Sequence, residues 1–192
     1  MKLLKDRIAQ EGRVLPGGVI KVGSFLNHMI DTSLAQEIGR EFARRFQGTG
    51  VTKVLTIEAS GIAYAVLAGV ELGVPVVFAK KSAGRNTYGD DAYRAVVHSF
   101  TRGTDSSISV GRQYLGEQDT ILLIDDFLAM GEAVLGLADI VRQSGAKLAG
   151  AGIVIEKAFQ PGGGKLRQMG IRVESLARIS SVENGAIEFT ED

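Results

Sequence analysis

The sequence predicts an α/β fold in which a mostly parallel sheet is covered by helices on both faces. Two observations carry this. Apolar runs of strand length, "KVLTIE", "VPVVFAKK", "TILLID" and "AKLAGAGIVIEKAF", are nearly continuous rather than alternating, as in strands buried on both sides. Between them lie segments with helical apolar spacing, so strand and helix alternate along the chain. Glycine is also abundant, at 25 residues, where an average of about 7% would supply roughly half as many. That implies many tight turns and close backbone approaches.

The elements follow in order. "KLLKDRIAQ" reads as a short amphipathic helix that stops at Gly12. "VLPGGVIKVGSFLNHMI" is turn-rich, with a possible strand over Val19–Val22. Asp31 or Ser33 can cap the next helix, whose apolar face would be Leu34, Ile38, Phe42 and Phe46. Lys53–Glu58 reads as a buried strand. "SGIAYAVLAGVELG" reads as a helix, with Ser60 at its cap and Gly73 past its end. After the "VPVVFAKK" strand, Ser82–Tyr93 is polar and aperiodic and reads as a mobile loop. "RAVVHSF" and "SSISV" resemble paired outer strands. "TILLID" is followed by a helix over "GEAVLGLADIVRQSG", then by the "AKLAGAGIVIEKAF" strand; "RVESLARI" and "GAIEFT" close the chain. There is no internal repeat and no linker, so all 192 residues are expected to form a single domain.

Composition narrows the function. Lys+Arg and Asp+Glu both total 22, a formal net charge of zero, which argues against nucleic-acid binding through bulk charge. The absence of cysteine excludes disulfides, thiol catalysis and zinc–thiolate sites. "MKLLKDRIAQEGR" has charges throughout and no signal-peptide core, and no run approaches the roughly 18 apolar residues of a membrane span. A soluble cytoplasmic protein without a membrane partner is expected. "PGGGKL" lacks the phosphate-loop pattern and reads as a turn, and "GAGIVI" lacks the third glycine of a dinucleotide fingerprint. His28 and His98 read as structural, and no Ser–His–Asp or His-x-x-x-His pattern occurs, so no metal ligand is assigned.

The informative stretch is "ILLIDDFLAMGEA", Ile121–Ala133. A strand of Ile and Leu runs into two adjacent carboxylates, Asp125 and Asp126. In parallel sheets ligands bind beyond the carboxyl ends of strands, which is where this pair is expected. An isolated acidic pair is usually a helix cap with a solvated neighbour. Here, two carboxylates at a ligand edge can accept hydrogen bonds from vicinal hydroxyls or hold an ion through water. The turn and helix start that follow suit a phosphate. Diol acceptors just before an anion cradle fit a ribose 5-phosphate.

On these residues the chain resembles the type I phosphoribosyltransferases. The resemblance runs from about Leu3 to Ile187. "TIEASGIAYAVLAGVELGVPVVFAKK" is similar to their pyrophosphate loop with the next helix and strand, while "VLPGGVIKVGSFLNHMID" and "GIVIEKAFQPGG" are similar to the xanthine-using members. The resemblance implies a type I phosphoribosyltransferase-like core, with a small hood built from about residues 1–30 and 156–192. It implies catalytic roles for Asp125 and Asp126 on the ribose hydroxyls. It assigns phosphoribosyl diphosphate (PRPP) to Ala129, Met130, Gly131, Glu132 and Ala133, to Glu58, Ala59, Ser60 and Gly61, and to Lys80 and Lys81. Xanthine falls to Ile20, Asn27 and Lys157. Mg²⁺ arrives on the diphosphate, and a homodimer is implied, since one basic residue of this kind serves the partner subunit's site.

Two departures matter. Where the family often carries Thr or Ser in the phosphate loop, this chain has Met130, Glu132 and Ala133, so backbone amides must hold the phosphate and Glu132 must point away from it. Ala129 stands where hypoxanthine–guanine enzymes have an Asp, so the loop supplies no carboxylate base. The rival readings are a non-catalytic, purine-responsive regulator with the same fold, and an enzyme for another purine. The regulator is disfavoured by the zero net charge and by the roughly thirty residues ahead of the first sheet helix.

Overall fold

The computed structural model describes residues 1–82, 91–99 and 104–190. A short helix α1 (Lys2–Glu11) leads into a two-stranded hairpin, β1 (Arg13–Leu15) and β2 (Val19–Lys21), and a π-helical turn over Gly23–Asn27. The main body comprises α2 (Thr32–Arg45), β3 (Lys53–Ile57), α3 (Gly61–Leu72), β4 (Val76–Ser82), β5 (Ala92–Ser99) and β6 (Thr104–Gly111). It continues with β7 (Thr120–Leu128), α4 (Glu132–Ser144), β8 (Lys147–Lys157), α5 (Gly162–Gln168), β9 (Val173–Ser181) and β10 (Glu188–Phe189).

Eight strands form one sheet in the order β10-β9-β8-β7-β3-β4-β6-β5. The five central strands, β9 to β4, are parallel; β10, β6 and β5 pair antiparallel at the edges. The expected α/β class with a mostly parallel sheet is therefore what forms. From β3 the chain moves one way to β4 and the outer hairpin, then returns to lay β7 on the other side of β3. The carboxyl ends of β3 and β7 thus flank a topological switch point, the place where open α/β sheets bind ligands.

Strand parity builds two cores. Val54, Leu122, Ile124 and Val154 face a layer made by α1, α2 and α3, whereas Leu55, Ile121, Leu123 and Ile153 face α4. Asp31 caps α2, its carboxylate accepting from the Leu34 N–H at 3.1 Å, and Leu34, Ile38, Phe42 and Phe46 are buried as their spacing predicts. Gly73 ends α3 in the left-handed conformation, with φ of 68°.

The structure corrects several expectations. The turn-rich N-terminal stretch does hold the expected strand, as β2, but pairs it with β1 in a hairpin closed by Gly17 and Gly18, with φ of 82° and 72°, and adds a π-helical turn; a strand as short as β1 shows no pattern in sequence. Ser60 precedes α3, but its side chain makes no capping hydrogen bond. "PGGGKL" opens a real helix, α5, rather than a simple turn. The segment read as a loop from Ser82 to Tyr93 contains the end of β4 and the start of β5; residues 83–90 lie outside the described residues. Most relevant to the site, β7 does not end at the acidic pair. β8 keeps supplying partners, so Asp125 pairs with Ile153, and the strand runs on to Leu128. Among the described residues, no helix is long and apolar enough to cross a membrane.

The packing of α2 on β8 depends on a missing side chain. A Cβ at Gly152 would stand 2.8 Å from the Phe42 ring and 2.6 Å from Ile124 Cδ1. Gly152→Ala is expected to destabilise the fold by about 1–3 kcal/mol through overpacking. Urea denaturation checks this; an unchanged midpoint would show that α2 can shift freely on the sheet.

Candidate active site

The turns after β3 and β7 open onto one cleft of about 420 Å³ at the switch point. Glu58–Gly61 lines one wall, and Asp125–Ala133 runs along the other, with Lys81 entering from β4. Nearly the whole of the expected phosphoribosyl set is therefore gathered in one place.

The first wall is the β3–α3 turn. The Glu58–Ala59 peptide bond is cis. Glu58 spans two strands: its N–H donates to the Ala79 carbonyl at 3.1 Å, and its carboxylate accepts from the Lys81 N–H at 2.5 Å. Gly61 opens α3 against β7. A Cβ there would stand 2.5 Å from Thr56 Oγ1 and 3.1 Å from Asp125 Oδ1, so the absence of a side chain lets the two turns approach each other.

The second wall carries the charges. Asp125 is 6% exposed, and its Oδ1 accepts from the Asp126 N–H at 3.0 Å. Burial, and then the neighbouring Asp126 carboxylate, hold the Asp125 carboxyl well above the usual carboxylate range. The Asp126 N–H and the Lys81 charge oppose this only in part. Asp126 is half-buried and accepts from Asn27 Nδ2 at 3.4 Å. The turn then reaches Gly131, whose φ of 91° suits glycine, and α4 starts at Glu132. The Leu135 N–H donates to the Gly131 carbonyl at 2.9 Å, so the amides of the preceding turn are left at the helix start, where an anion is favoured. Glu132 leans toward α5, with its Oε1 3.6 Å from Lys165 Nζ.

A second groove, of about 810 Å³, adjoins the cleft at Ser60. Ile20, Asn27 and His28 line it, from the hairpin and the π-helical turn. Tyr64 of α3 fixes this segment from below, its hydroxyl donating to the Leu26 carbonyl at 2.5 Å. Burial, and then the Asp126 charge, push the Tyr64 phenol up, so it stays a donor. Lys157, at the end of β8, donates to the Gly18 carbonyl at 3.3 Å, and burial pulls its ammonium pKa down. Ile20 of the hairpin and Asn27 of the π-helical turn thus line the groove, with Asn27 bridging to Asp126, whereas Lys157 meets the hairpin at Gly18 and is not among the residues lining the groove.

Two placements were not legible in the sequence. Lys81 lines the cleft, but Lys80 does not; it alternates to the opposite face of β4, beside Phe78 and Tyr114. His98 and Ser106, from the outer hairpin, also line the cleft. His98 Nδ1 lies 2.6 Å from Asp105 Oδ1, and only strand pairing across β5 and β6 brings the two together. Among the described residues, no group of three or more His, Cys, Asp or Glu side chains is placed to hold a metal ion.

The raised pKa of Asp125 has a consequence for stability. A carboxyl whose folded pKa exceeds its unfolded one binds its proton more tightly in the folded state. Its contribution is intact below the ordinary value of 3.8 and is lost as pH rises through the raised value. Asp125→Asn is therefore expected to raise the melting temperature at pH 8, by roughly 2–4 °C for each kcal/mol relieved. The difference should shrink toward pH 4. Calorimetry at the two pH values checks this, and a lower melting temperature at pH 8 would contradict it.

No protein-family model matches the chain. It is 56% identical over 191 residues to a xanthine phosphoribosyltransferase of Bacillus mycoides, covering 100% of this chain and 96% of that protein. It is 55% identical, with the same coverage, to one of Bacillus cereus. Among solved structures, the adenine phosphoribosyltransferase of Giardia lamblia with 9-deazaadenine aligns at a TM-score of 0.75 and 19% identity, over 93% of this chain and 98% of that one. The Trypanosoma brucei enzyme with AMP, pyrophosphate and ribose-5-phosphate aligns at 0.75 and 18% identity, over 91% and 79%. These distant structures share the fold, and the close relatives share the sequence over its full length: the chain belongs to the xanthine phosphoribosyltransferase family.

Proposed function

We propose that this protein transfers the 5-phosphoribosyl group of PRPP to xanthine, giving xanthosine 5'-monophosphate and pyrophosphate in purine salvage. The observation that carries the reading is the convergence of Glu58–Gly61, Asp125–Asp126 and Ala129–Ala133 on one cleft at the switch point. In the reaction, the bond from ribose C1 to the diphosphate oxygen breaks, a bond from C1 to a purine ring nitrogen forms, and that nitrogen's proton is released. The transition state resembles an oxocarbenium ion, so the protein's work is positioning and charge stabilisation.

Each wall has a task in this reading. Asp125 and Asp126 accept from the ribose 2- and 3-hydroxyls and favour the positive charge growing on the ring. The backbone amides from Ala129 to Ala133 and the start of α4 hold the 5-phosphate. Backbone amides of Glu58–Gly61, with Lys81, hold the pyrophosphate. Mg²⁺ belongs to the diphosphate substrate and helps it leave. Xanthine lies in the groove lined by Ile20 and Asn27, near Lys157, under a hood built from about residues 1–30 and 156–192 of the single domain. Xanthine has acceptor oxygens at C2 and C6, and the Asn27 amide and Lys157 can both donate. A site built for acceptors disfavours an amino group in their place, because buried donors would face each other.

The reading includes a cytoplasmic homodimer. Val66 and Val70 of α3 are 44% and 70% exposed, and Phe78 of β4 is 41% exposed. α3 carries a single charged residue, Glu71, and a helix apolar on all sides is normally covered on all sides. A second copy on this face would let Lys80, beside Phe78, approach the neighbouring cleft.

Pyrophosphate release from Mg²⁺–PRPP, measured with xanthine, guanine, hypoxanthine and adenine in turn, tests the function. Xanthine should give the highest kcat/KM. Absence of release with every one of these purines would favour the regulator reading. Asn27→Ala should weaken xanthine by about 1–3 kcal/mol, the cost of an unsatisfied buried partner, with little change in the PRPP constant. Gly131→Val should do the reverse. Its φ of 91° is closed to a β-branched residue, and a Cβ would stand 3.3 Å from Gly162 Cα. The KM for PRPP should therefore rise far more than that for xanthine; an equal rise would make the loop a general structural turn.

A further inference from the structure

Glu132 is an acid at the start of the helix that is to receive a phosphate. A helix N-terminus favours one negative charge, and a second nearby repels the first. The neighbour that answers this charge comes from elsewhere in the chain: Lys165 of α5, with Nζ 3.6 Å from Glu132 Oε1.

α5 is held from two sides. Arg167 forks onto Glu156 of β8 with contacts of 2.7 and 2.8 Å. Glu156 is 2% exposed and also accepts from Ser175 Oγ at 2.5 Å, with Arg178 Nε at 3.3 Å. Burial works against the Glu156 charge, but these hydrogen bonds and cations outweigh it and hold its carboxyl below the usual range. On the other side, the first residue of α5 lies flush against the phosphate loop. The Gly162 N–H donates to the Ala129 carbonyl at 3.1 Å, and a Cβ on Gly162 would stand 2.6 Å from both the Gly131 nitrogen and the Met130 carbonyl carbon. Lys165 therefore starts from a backbone fixed relative to the loop.

We propose, on the reading of the cleft given above, that Lys165 is a positioning residue for phosphoribosyl binding: it draws the Glu132 carboxylate toward α5 and cancels its charge, leaving the loop amides to the 5-phosphate. Without it, Glu132 faces the incoming phosphate as a like charge. The role is electrostatic, so salt and Glu132 itself control it.

The test is a double-mutant cycle with two readouts: calorimetric binding of ribose 5-phosphate, and steady-state KM for each substrate. Lys165→Glu is expected to weaken ribose 5-phosphate and raise the KM for PRPP by about three- to tenfold at low ionic strength. The KM for xanthine and the melting temperature should stay near wild type, and the gap should narrow at about 0.5 M salt. Adding Glu132→Gln to Lys165→Glu should restore most of the lost affinity, which a merely structural role of Lys165 would not permit. Wild-type affinity in Lys165→Glu, or no rescue in the double variant, overturns the inference and leaves the proposed function standing. Failure of the wild-type protein to bind ribose 5-phosphate overturns both.

Discussion

The parallel pairing of β3 with β7 joins two segments distant in sequence, from Lys53 beside Ile121 to Leu55 beside Leu123, and every part of the cleft hangs from it. Because the chain leaves β3 on one side and returns on the other, the turns that follow these strands diverge and leave a gap. The gap is narrow at its floor, where Gly61 has no side chain to hold Asp125 off. Leu55, Ile121 and Leu123 beneath it are almost fully buried, so the pairing is set by a core with no stake in the ligand. Loops that carry charged groups are in this way positioned by strand segments packed in hydrocarbon.

Charge is the difficulty the rest of the site manages. A formally neutral chain places Glu58, Asp125, Asp126 and Glu132 around one opening. Each acid has an answering group. Glu58 is turned onto the Lys81 amide, Asp126 receives Asn27, and Glu132 meets Lys165. Asp125 receives the Asp126 amide, and burial drives its carboxyl toward the protonated form. The acid set deepest is thus held against the cost of burying its charge, which is the pattern of a group kept for a ligand rather than for stability.

The long buried strands, the α2 face from Leu34 to Phe46 and the acidic pair with its glycine turn were legible in the sequence, because each is a local pattern of apolar spacing or of adjacent residue types. What was not legible depends on partners remote in sequence. β7 outruns its apolar stretch because β8 continues beside it as far as Glu156. α5 looked like a turn because three glycines open it, and it is the Arg167–Glu156 contact that holds it in place. Lys80 and Lys81 look equivalent as adjacent residues, yet strand alternation sends them to opposite faces of the sheet. His98 gave no local signal at all; its place in the cleft follows from the pairing of β5 with β6.

The contact between Gly131 and Gly162 has an evolutionary consequence. Two residues without side chains meet there, one at φ of 91° and the other with no room for a Cβ. Neither position offers a series of small steps, since even one methyl group at Gly162 pushes into the loop. Lineages of this protein cannot adjust the shape of the cleft gradually at the contact itself. Gradual adjustment is left to the exposed charges around it, where a single substitution shifts the local field and leaves the backbone in place. The glycines form a rigid joint behind this wall of the cleft, and the residues at its rim form the part that can vary.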